Sequence, residues 1–148
     1  MSKIVQMLLS GIFFTFILDF FLFLGIKENY IDTNHIQLYY NILFADNQNI
    51  FIFLFFSLVL GYLVMYLSNK IAVIAIVTLF MLTSATLLPP VGKAVGEALF
   101  MKKNMTIKTD KFSYHGDLLY SGRKNITFYD YELKKAIILD KNKIVGSN

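Results

Sequence analysis

IVQMLLSGIFFTFILDFFLFLGI, residues 4–26, is the stretch that decides the fold of this chain. As a helix it would extend about 34 Å at roughly 1.5 Å per residue, which is enough to cross a bilayer. It is too long for a signal peptide, and no small-residue cleavage site follows it. We therefore predict that it is an uncleaved first transmembrane helix.

This segment contains one acidic side chain, Asp19, between Leu18 and Phe20. A carboxylate near the centre of a membrane helix costs about 2.5–3.5 kcal/mol on insertion scales. The segment also has 16 Ile, Leu, Phe or Val residues, each contributing roughly −0.3 to −0.6 kcal/mol, so insertion is still favoured. Gly11, Thr15 and Asp19 recur every four residues and share one stripe of the helix. We predict that this stripe is an intramembrane contact face.

Two further apolar stretches, residues 50–67 and 71–88, also have spanning length. Only Ser68-Asn69-Lys70 separates them, which predicts an antiparallel helical hairpin. An alternative is that residues 50–88 form one bent, re-entrant unit. Small residues in the first stretch, Ser57 and Gly61, are candidates for close helix packing.

The segment between the first two spans favours a short amphipathic helix at the membrane interface, about residues 32–45. Asp32-Thr33-Asn34 provides candidate N-caps, and the run at residues 46–49 ends the pattern and can cap the second span. An ordered loop is the alternative. The apolar positions with helical spacing are Ile36, Tyr39, Tyr40, Leu43 and Phe44.

Pro89-Pro90 is predicted to end the third span and the membrane domain, residues 1–90. Residues 91–103 then indicate a linker helix that lies on the membrane surface. Its Gly92-x-x-x-Gly96 spacing matches a helix-packing motif, although a surface-lying linker is favoured over a dimer contact. Three lysines are predicted to contact anionic lipid headgroups: Lys93, Lys102 and Lys103.

Residues 104–148 show short β-type runs separated by turn residues and predict a small β-rich tail in water. His115-Gly116-Asp117 and Ser121-Gly122 are predicted turns between strands. A segment of this size buries little core. We therefore expect the tail to lean on the membrane face, on a second copy or on another protein.

Composition excludes several classes of function. Only 16% of the residues are charged, against about 25% in average globular chains, and most of them follow Pro90. The chain has no cysteine, and its histidines, His35 and His115, belong to different regions. No nucleotide-binding loop, catalytic motif or metal-ligand spacing is present, and the basic residues occur in pairs. We expect no enzyme activity, cofactor, metal, small-molecule substrate or nucleic-acid partner.

Lysines near the span ends indicate the orientation. With three spans, Lys3 and Lys70 share one side of the membrane, and a larger group shares the other. That imbalance predicts a cytoplasmic tail. Because the absence of Trp with many Phe, Tyr, Ile, Asn and Lys residues suggests a bacterial gene, we expect a multi-pass protein of the bacterial inner membrane. The larger group comprises Lys27, Lys93, Lys102, Lys103 and Lys108.

Two functions compete at this level. In the first, the chain is a small non-enzymatic accessory or assembly factor that docks through its helices on a larger membrane protein complex, while its tail contacts a partner or the membrane face. In the second, it is a subunit of an oligomeric channel or transporter in which Asp19 lines a pore. Asp19 itself is interpreted first as a packing or docking determinant.

Overall fold

The computed structural model describes residues 2–147, a helix-rich chain followed by a five-stranded antiparallel sheet. The helices are α1 (Lys3–Ile26), α2 (Tyr40–Asn47), α3 (Ile50–Tyr66), α4 (Asn69–Ser84) and α5 (Pro89–Phe100). The strands are β1 (Lys102–Thr109), β2 (Ser113–Ser121), β3 (Asn125–Asp130), β4 (Lys135–Asp140) and β5 (Ile144–Ser147).

Two or three helices are long and apolar enough to cross a membrane. The segments Lys3–Ile31 and Asn69–Leu87 meet this test alone, while α2 and α3 meet it only as a pair bent by 85°. Helix α1 packs against α3 along much of its length and also touches α4. Large apolar side chains cover the outer faces of α3 and α4 and remain exposed in the chain itself.

The interfacial segment, which we define as residues 36–47, is less helical than predicted. Its helix begins at Tyr40, and residues 36–39 have no regular helical structure. The predicted N-cap at Asp32-Thr33-Asn34 is wrong, because the first helix continues through a π-helical turn, Lys27–Ile31. The side chains of Thr33 and Asn34 then hydrogen-bond to the carbonyls of Asn29 and Tyr30, so they finish the first helix and do not begin the next.

One helix ends and another begins at the end of the third apolar stretch. Helix α4 passes into a 3-10 turn, Ala85–Leu87, and α5 then begins at Pro89. Proline is compatible with the first helical turn because the N–H it lacks would have no intrahelical partner there. Helix α5 ends at Phe100, and Lys102 and Lys103 already belong to β1. The linker helix therefore begins and ends two or three residues earlier than the predicted 91–103.

The tail sheet is curled. Its strand order is β4-β3-β2-β1-β5, so consecutive strands β4 and β5 lie at opposite edges. In a flat sheet these edges would be about 19 Å apart, at roughly 4.8 Å per strand. The connection is one 3-10 turn, Lys141–Lys143, which rises only about 6 Å. The sheet therefore wraps into a half-open barrel around Ile107, Leu118, Ile126 and Phe128.

Strand β2 runs through the predicted turn at His115-Gly116-Asp117, so that prediction is wrong. Gly116 lies where a Cβ atom would be 1.9 Å from the carbonyl oxygen of Tyr129 on β3. Glycine in a strand often marks such a close backbone approach. The glycine here serves strand pairing and not chain reversal, and the two uses look alike in sequence.

Candidate functional site

The contact between α1 and α3, which we call the α1–α3 seam, is built from small residues. A Cβ atom on Gly11 would lie 1.8 Å from the carbonyl oxygen of Ser57, and one on Gly61 would lie 2.1 Å from that of Met7. Thr15 and Ser57 are buried, and neither hydroxyl has a hydrogen-bond partner among the described residues, 2–147. The two backbones thus approach as closely as glycine allows, and the seam depends on packing.

Asp19 lies beyond the end of this seam and is half-buried. Its Oδ2 accepts a hydrogen bond of 2.8 Å from Nε2 of Gln48, a residue between α2 and α3. Near it, the Tyr40 hydroxyl donates to the carbonyl oxygen of Phe20 at 3.2 Å. The carboxylate therefore has a partner within the chain, at the bend between the interfacial segment and α3.

Gln48 belongs to a run of four residues, 46–49, that we call the polar junction. Each of its side chains reaches a different group: Asp46 binds Arg123, Asn47 donates to the Tyr120 hydroxyl at 3.2 Å, and Gln48 donates to Asp19. Asn49 caps α3, because its Oδ1 accepts hydrogen bonds from the backbone N–H groups of Phe51 and Ile52, the second and third residues of that helix, at 3.0 and 3.2 Å. This confirms the predicted cap. The polar junction connects α1, α2, α3 and the tail.

The ion pair of Arg123 with Asp46 is bidentate. The guanidinium Nε donates to both carboxylate oxygens of Asp46, at 2.8 and 2.9 Å, and Nη2 also contacts Oδ1. Asp46 raises the pKa of Arg123 above its usual value through these hydrogen bonds and its charge. Arg123 is exposed, so its contribution lies in the fixed geometry of the forked contact more than in its free energy.

An aromatic contact lies beside the polar junction and is fully buried. Tyr30, in the π-helical turn that extends α1, donates its hydroxyl to the carbonyl oxygen of Leu119 at 2.7 Å. Leu119 is a β-bulge residue, since Leu118 pairs with Phe128 and Tyr120 pairs with Thr127. The bulge turns both Leu119 and Tyr120 toward the helices, where they join one apolar cluster with Tyr30.

Helix α5 packs on the same turn through its glycines. A Cβ atom on Gly96 would lie 2.3 Å from Cβ and Cγ of Tyr30, and one on Gly92 would lie 2.1 Å from the carbonyl oxygen of Thr86. The Gly92-x-x-x-Gly96 face is therefore an internal packing surface. Asn29 strengthens this corner by donating to the carbonyls of Thr86 and Leu87 at 2.9 and 3.1 Å.

The three predicted lipid-contacting lysines are not brought together in one site. Lys93 lies on α5 and faces Glu97 at 4.0 Å. Lys102 and Lys103 are exposed at the start of β1. Of the predicted site residues, Gly11, Thr15, Ser57 and Gly61 lie at the α1–α3 seam. Asp19 lies outside the seam and is hydrogen-bonded to Gln48. The three lysines lie at separate positions on α5 and β1.

Sequence reasoning missed the residues that join the tail to the helices: Tyr30, Asp46, Asn47, Tyr120 and Arg123. It also missed Gln48 as the partner of Asp19. Two signals were available. Arg123 is the only arginine in the chain, and residues 46–49 are four consecutive hydrogen-bonding side chains directly before an apolar span. The sequence does not reveal the partner of each residue, because the contacts join residues as much as 89 positions apart.

The contacts of the polar junction and of Tyr30 couple the helices mechanically to the tail. Across residues 2–147, no group of three His, Asp or Glu side chains is placed to hold a metal ion. His115 contacts Thr106 and Tyr131 on the tail, away from the interfacial segment that follows His35. The polar junction and Tyr30 together hold the half-open barrel in one orientation against the helices.

No protein-family model, curated protein or solved structure matches this chain.

Proposed function

We propose that the chain is a non-enzymatic accessory or assembly factor of the bacterial inner membrane that docks through its helices on a larger membrane protein complex. In this proposal, α1, α3 and α4 cross the bilayer, and the tail barrel is held at the membrane surface. The observation that carries the proposal is the polar junction together with Tyr30. These contacts make the tail a fixed extension of the helices, as a scaffold protein requires.

The proposed docking face lies on α4. Of its residues only Ala72 is buried, although the helix is apolar from Ile71 to Leu82 apart from Thr78. A membrane helix with so little packing inside its own chain leaves a long face for lipid or for a second membrane protein. The exposed large side chains on this face include Ile71, Val73, Ile74, Val77, Phe80, Met81 and Leu82.

The alternative, an oligomeric channel or transporter subunit lined by Asp19, has less support. A conducting carboxylate normally belongs to a set of ionisable groups along a path. Asp19 instead accepts a hydrogen bond from Gln48 of the same chain. We therefore assign it a positioning role at the bend between the interfacial segment and α3.

We place the tail in the cytoplasm. The hairpin between α3 and α4 carries Lys70 and shares its side with Lys3, whereas the lysines around the π-helical turn, α5 and β1 lie with the tail. More Lys near the span ends on the tail side favours a cytoplasmic tail. A reporter fused after residue 148 tests this, and activity typical of the outer compartment would reverse the assignment.

Photo-crosslinking in cells tests the docking proposal. A photoreactive residue at Ile74 or Met81 on α4, which are 65% and 67% exposed, should give the same discrete protein adduct. The matched control is Phe51 on α3, which is 79% exposed and should give none. If all three positions fail to form a protein adduct, or form it equally, α4 is not the docking face. When Ile74 and Met81 give the expected adduct, mass spectrometry of the crosslinked protein identifies the complex.

A further inference from the structure

A cleft of about 300 Å³ lies between the interfacial segment and the tail. Its apolar wall is formed by Ile36, Leu38 and Ile42. The β2–β3 turn, with Arg123 and Lys124, forms the facing side. The side of the cleft formed by the helices is thus mainly apolar, with Gln37 and Asp46 as its polar members, and the side formed by the tail carries two cations.

The bend between α2 and α3 sets the level of this cleft. The two helices meet at 85°, so if α3 crosses the bilayer, as proposed above, α2 lies along its surface. The cleft flanks α2 and therefore opens at the level of the lipid headgroups. This step rests on the proposed membrane insertion and does not depend on a protein partner.

The residues that line the cleft carry an excess of positive charge, which favours an anionic ligand. Two cations, Arg123 and Lys124, line the cleft, and Asp46 contributes one carboxylate with both oxygens already bound by Arg123. Within residues 2–147, Lys124 has no salt-bridge partner. Its backbone is fixed, since its carbonyl accepts a hydrogen bond of 2.9 Å from the N–H of Lys141. An anionic group is the complement of this turn.

We propose that the cleft binds one anionic phospholipid of the phosphatidylglycerol type. Lys124 and the Arg123 nitrogen that Asp46 does not use receive the phosphate. The side-chain amides of Gln37 and Asn125, which also line the cleft, offer hydrogen bonds to the glycerol hydroxyls. The start of an acyl chain lies against Leu38 and Ile42, so the lipid bridges the interfacial segment and the tail.

Native mass spectrometry of the delipidated full-length protein in detergent tests the proposal by titration with phosphatidylglycerol or phosphatidylcholine. We expect one phosphatidylglycerol to bind in preference to phosphatidylcholine. Lys124→Gln should weaken its binding about fivefold, the effect of one lysine near an anionic headgroup. Lys124→Arg should keep the affinity, and Ile42→Asn should lower it. The control is Lys108→Gln, an equal charge change on exposed β1, which should have no effect.

Three results would overturn the site: equal affinity of the Lys124→Gln and Lys108→Gln variants, equal binding of the two lipids, or full competition by glycerol 3-phosphate. The last would show that a free phosphate ester and not a lipid is recognised. Retained binding by Lys124→Arg separates loss of charge from misfolding. Failure of membrane insertion would appear earlier, as absence of the chain from the membrane fraction.

Discussion

The α1–α3 seam and the polar junction join parts of the same chain by opposite means. At the seam, glycines bring two backbones together, and the buried hydroxyls of Thr15 and Ser57 have no hydrogen-bond partner in the part of the chain that the structure describes. At the polar junction, each side chain has a hydrogen-bond partner on another element or at a helix end. If α1 and α3 cross the bilayer, as proposed, the surrounding lipid gives these two apolar helices little hydrophobic reason to associate, so close packing must hold the seam. Near water, directional bonds and aromatic burial can fix an orientation.

The largest effect is expected at the seam. Gly11→Leu places a side chain where even a Cβ atom would be 1.8 Å from the Ser57 carbonyl oxygen. Backbone cannot yield as a side chain can, so we expect a loss of about 3 kcal/mol or more in the free energy of unfolding. Thermal melting in detergent and abundance in membranes measure it. Ile12→Phe, at an exposed neighbouring position, is the control, and equal behaviour of the two variants would contradict the seam.

The aromatic contact beside the polar junction should give the next effect. Tyr30→Phe removes the donor to the Leu119 carbonyl and leaves that buried oxygen unsatisfied, at a cost of about 1–3 kcal/mol. Hydrogen exchange of β2 amides should increase while α1 and α3 stay protected. Tyr39→Phe, at a side chain that is 77% exposed, should change nothing. Unchanged exchange in the Tyr30 variant would show that the bulge does not anchor the tail.

Removing one partner of the Asp19–Gln48 pair should destabilise the protein more than removing both. Gln48→Leu strips a half-buried carboxylate of its donor and should destabilise the protein by about 1–2 kcal/mol. Asp19→Leu with Gln48→Leu should be more stable than Gln48→Leu alone, because removing both partners leaves no unpaired charge. Melting of the two single variants and the double variant forms the cycle. Additive losses would mean that the two side chains do not interact.

Asp19→Asn separates the competing functions. Asparagine keeps an acceptor for Gln48, so we expect normal abundance and normal α4 adducts. Loss of transport or conductance with normal assembly would instead support the channel alternative. Loss of the partner from crosslinking would show that Asp19 itself docks the complex.

The smallest effect concerns alkaline pH and only the polar junction. Burial raises the pKa of Tyr120 above the usual value for a tyrosine, and the Asn47 hydrogen bond offsets this in part. The folded state therefore holds the Tyr120 proton more tightly than the unfolded state does. The protonated hydroxyl stabilises the folded protein below about pH 10, and this stabilisation is lost as the pH rises further. Hydrogen exchange of β2 should increase there, and less steeply in Tyr120→Phe. A seam that loosened in parallel would contradict the separation of the two regions.

Much of the architecture follows from local patterns. The apolar stretches became α1, α3 and α4, the Asn49 cap was found where predicted, and the runs after residue 104 became strands. Errors occurred where one local pattern fits two structures. Asp32-Thr33-Asn34 can begin a helix or end one, and Gly116 can turn a chain or admit a neighbouring strand. Only the surrounding chain distinguishes the two.

The candidate site was less predictable than the fold. The small residues of the seam are visible as a stripe, because their spacing lies within single helices. The anchoring contacts are not, because Tyr30 meets Leu119 only after a bulge in β2 redirects two consecutive residues. Periodicity predicts which face of a strand is buried, but it assumes regular pairing and fails where a bulge interrupts it.

By itself, the sequence determined that this chain has apolar helices of spanning length and a basic, β-rich tail, since length, periodicity and charge are local properties. Tertiary structure alone decided that residues 46–49 join four elements, that Asp19 is bonded to Gln48, and that the α5 glycines pack on Tyr30. Each of these requires backbones and side chains distant in sequence to meet within a few ångströms, and no local pattern encodes that distance.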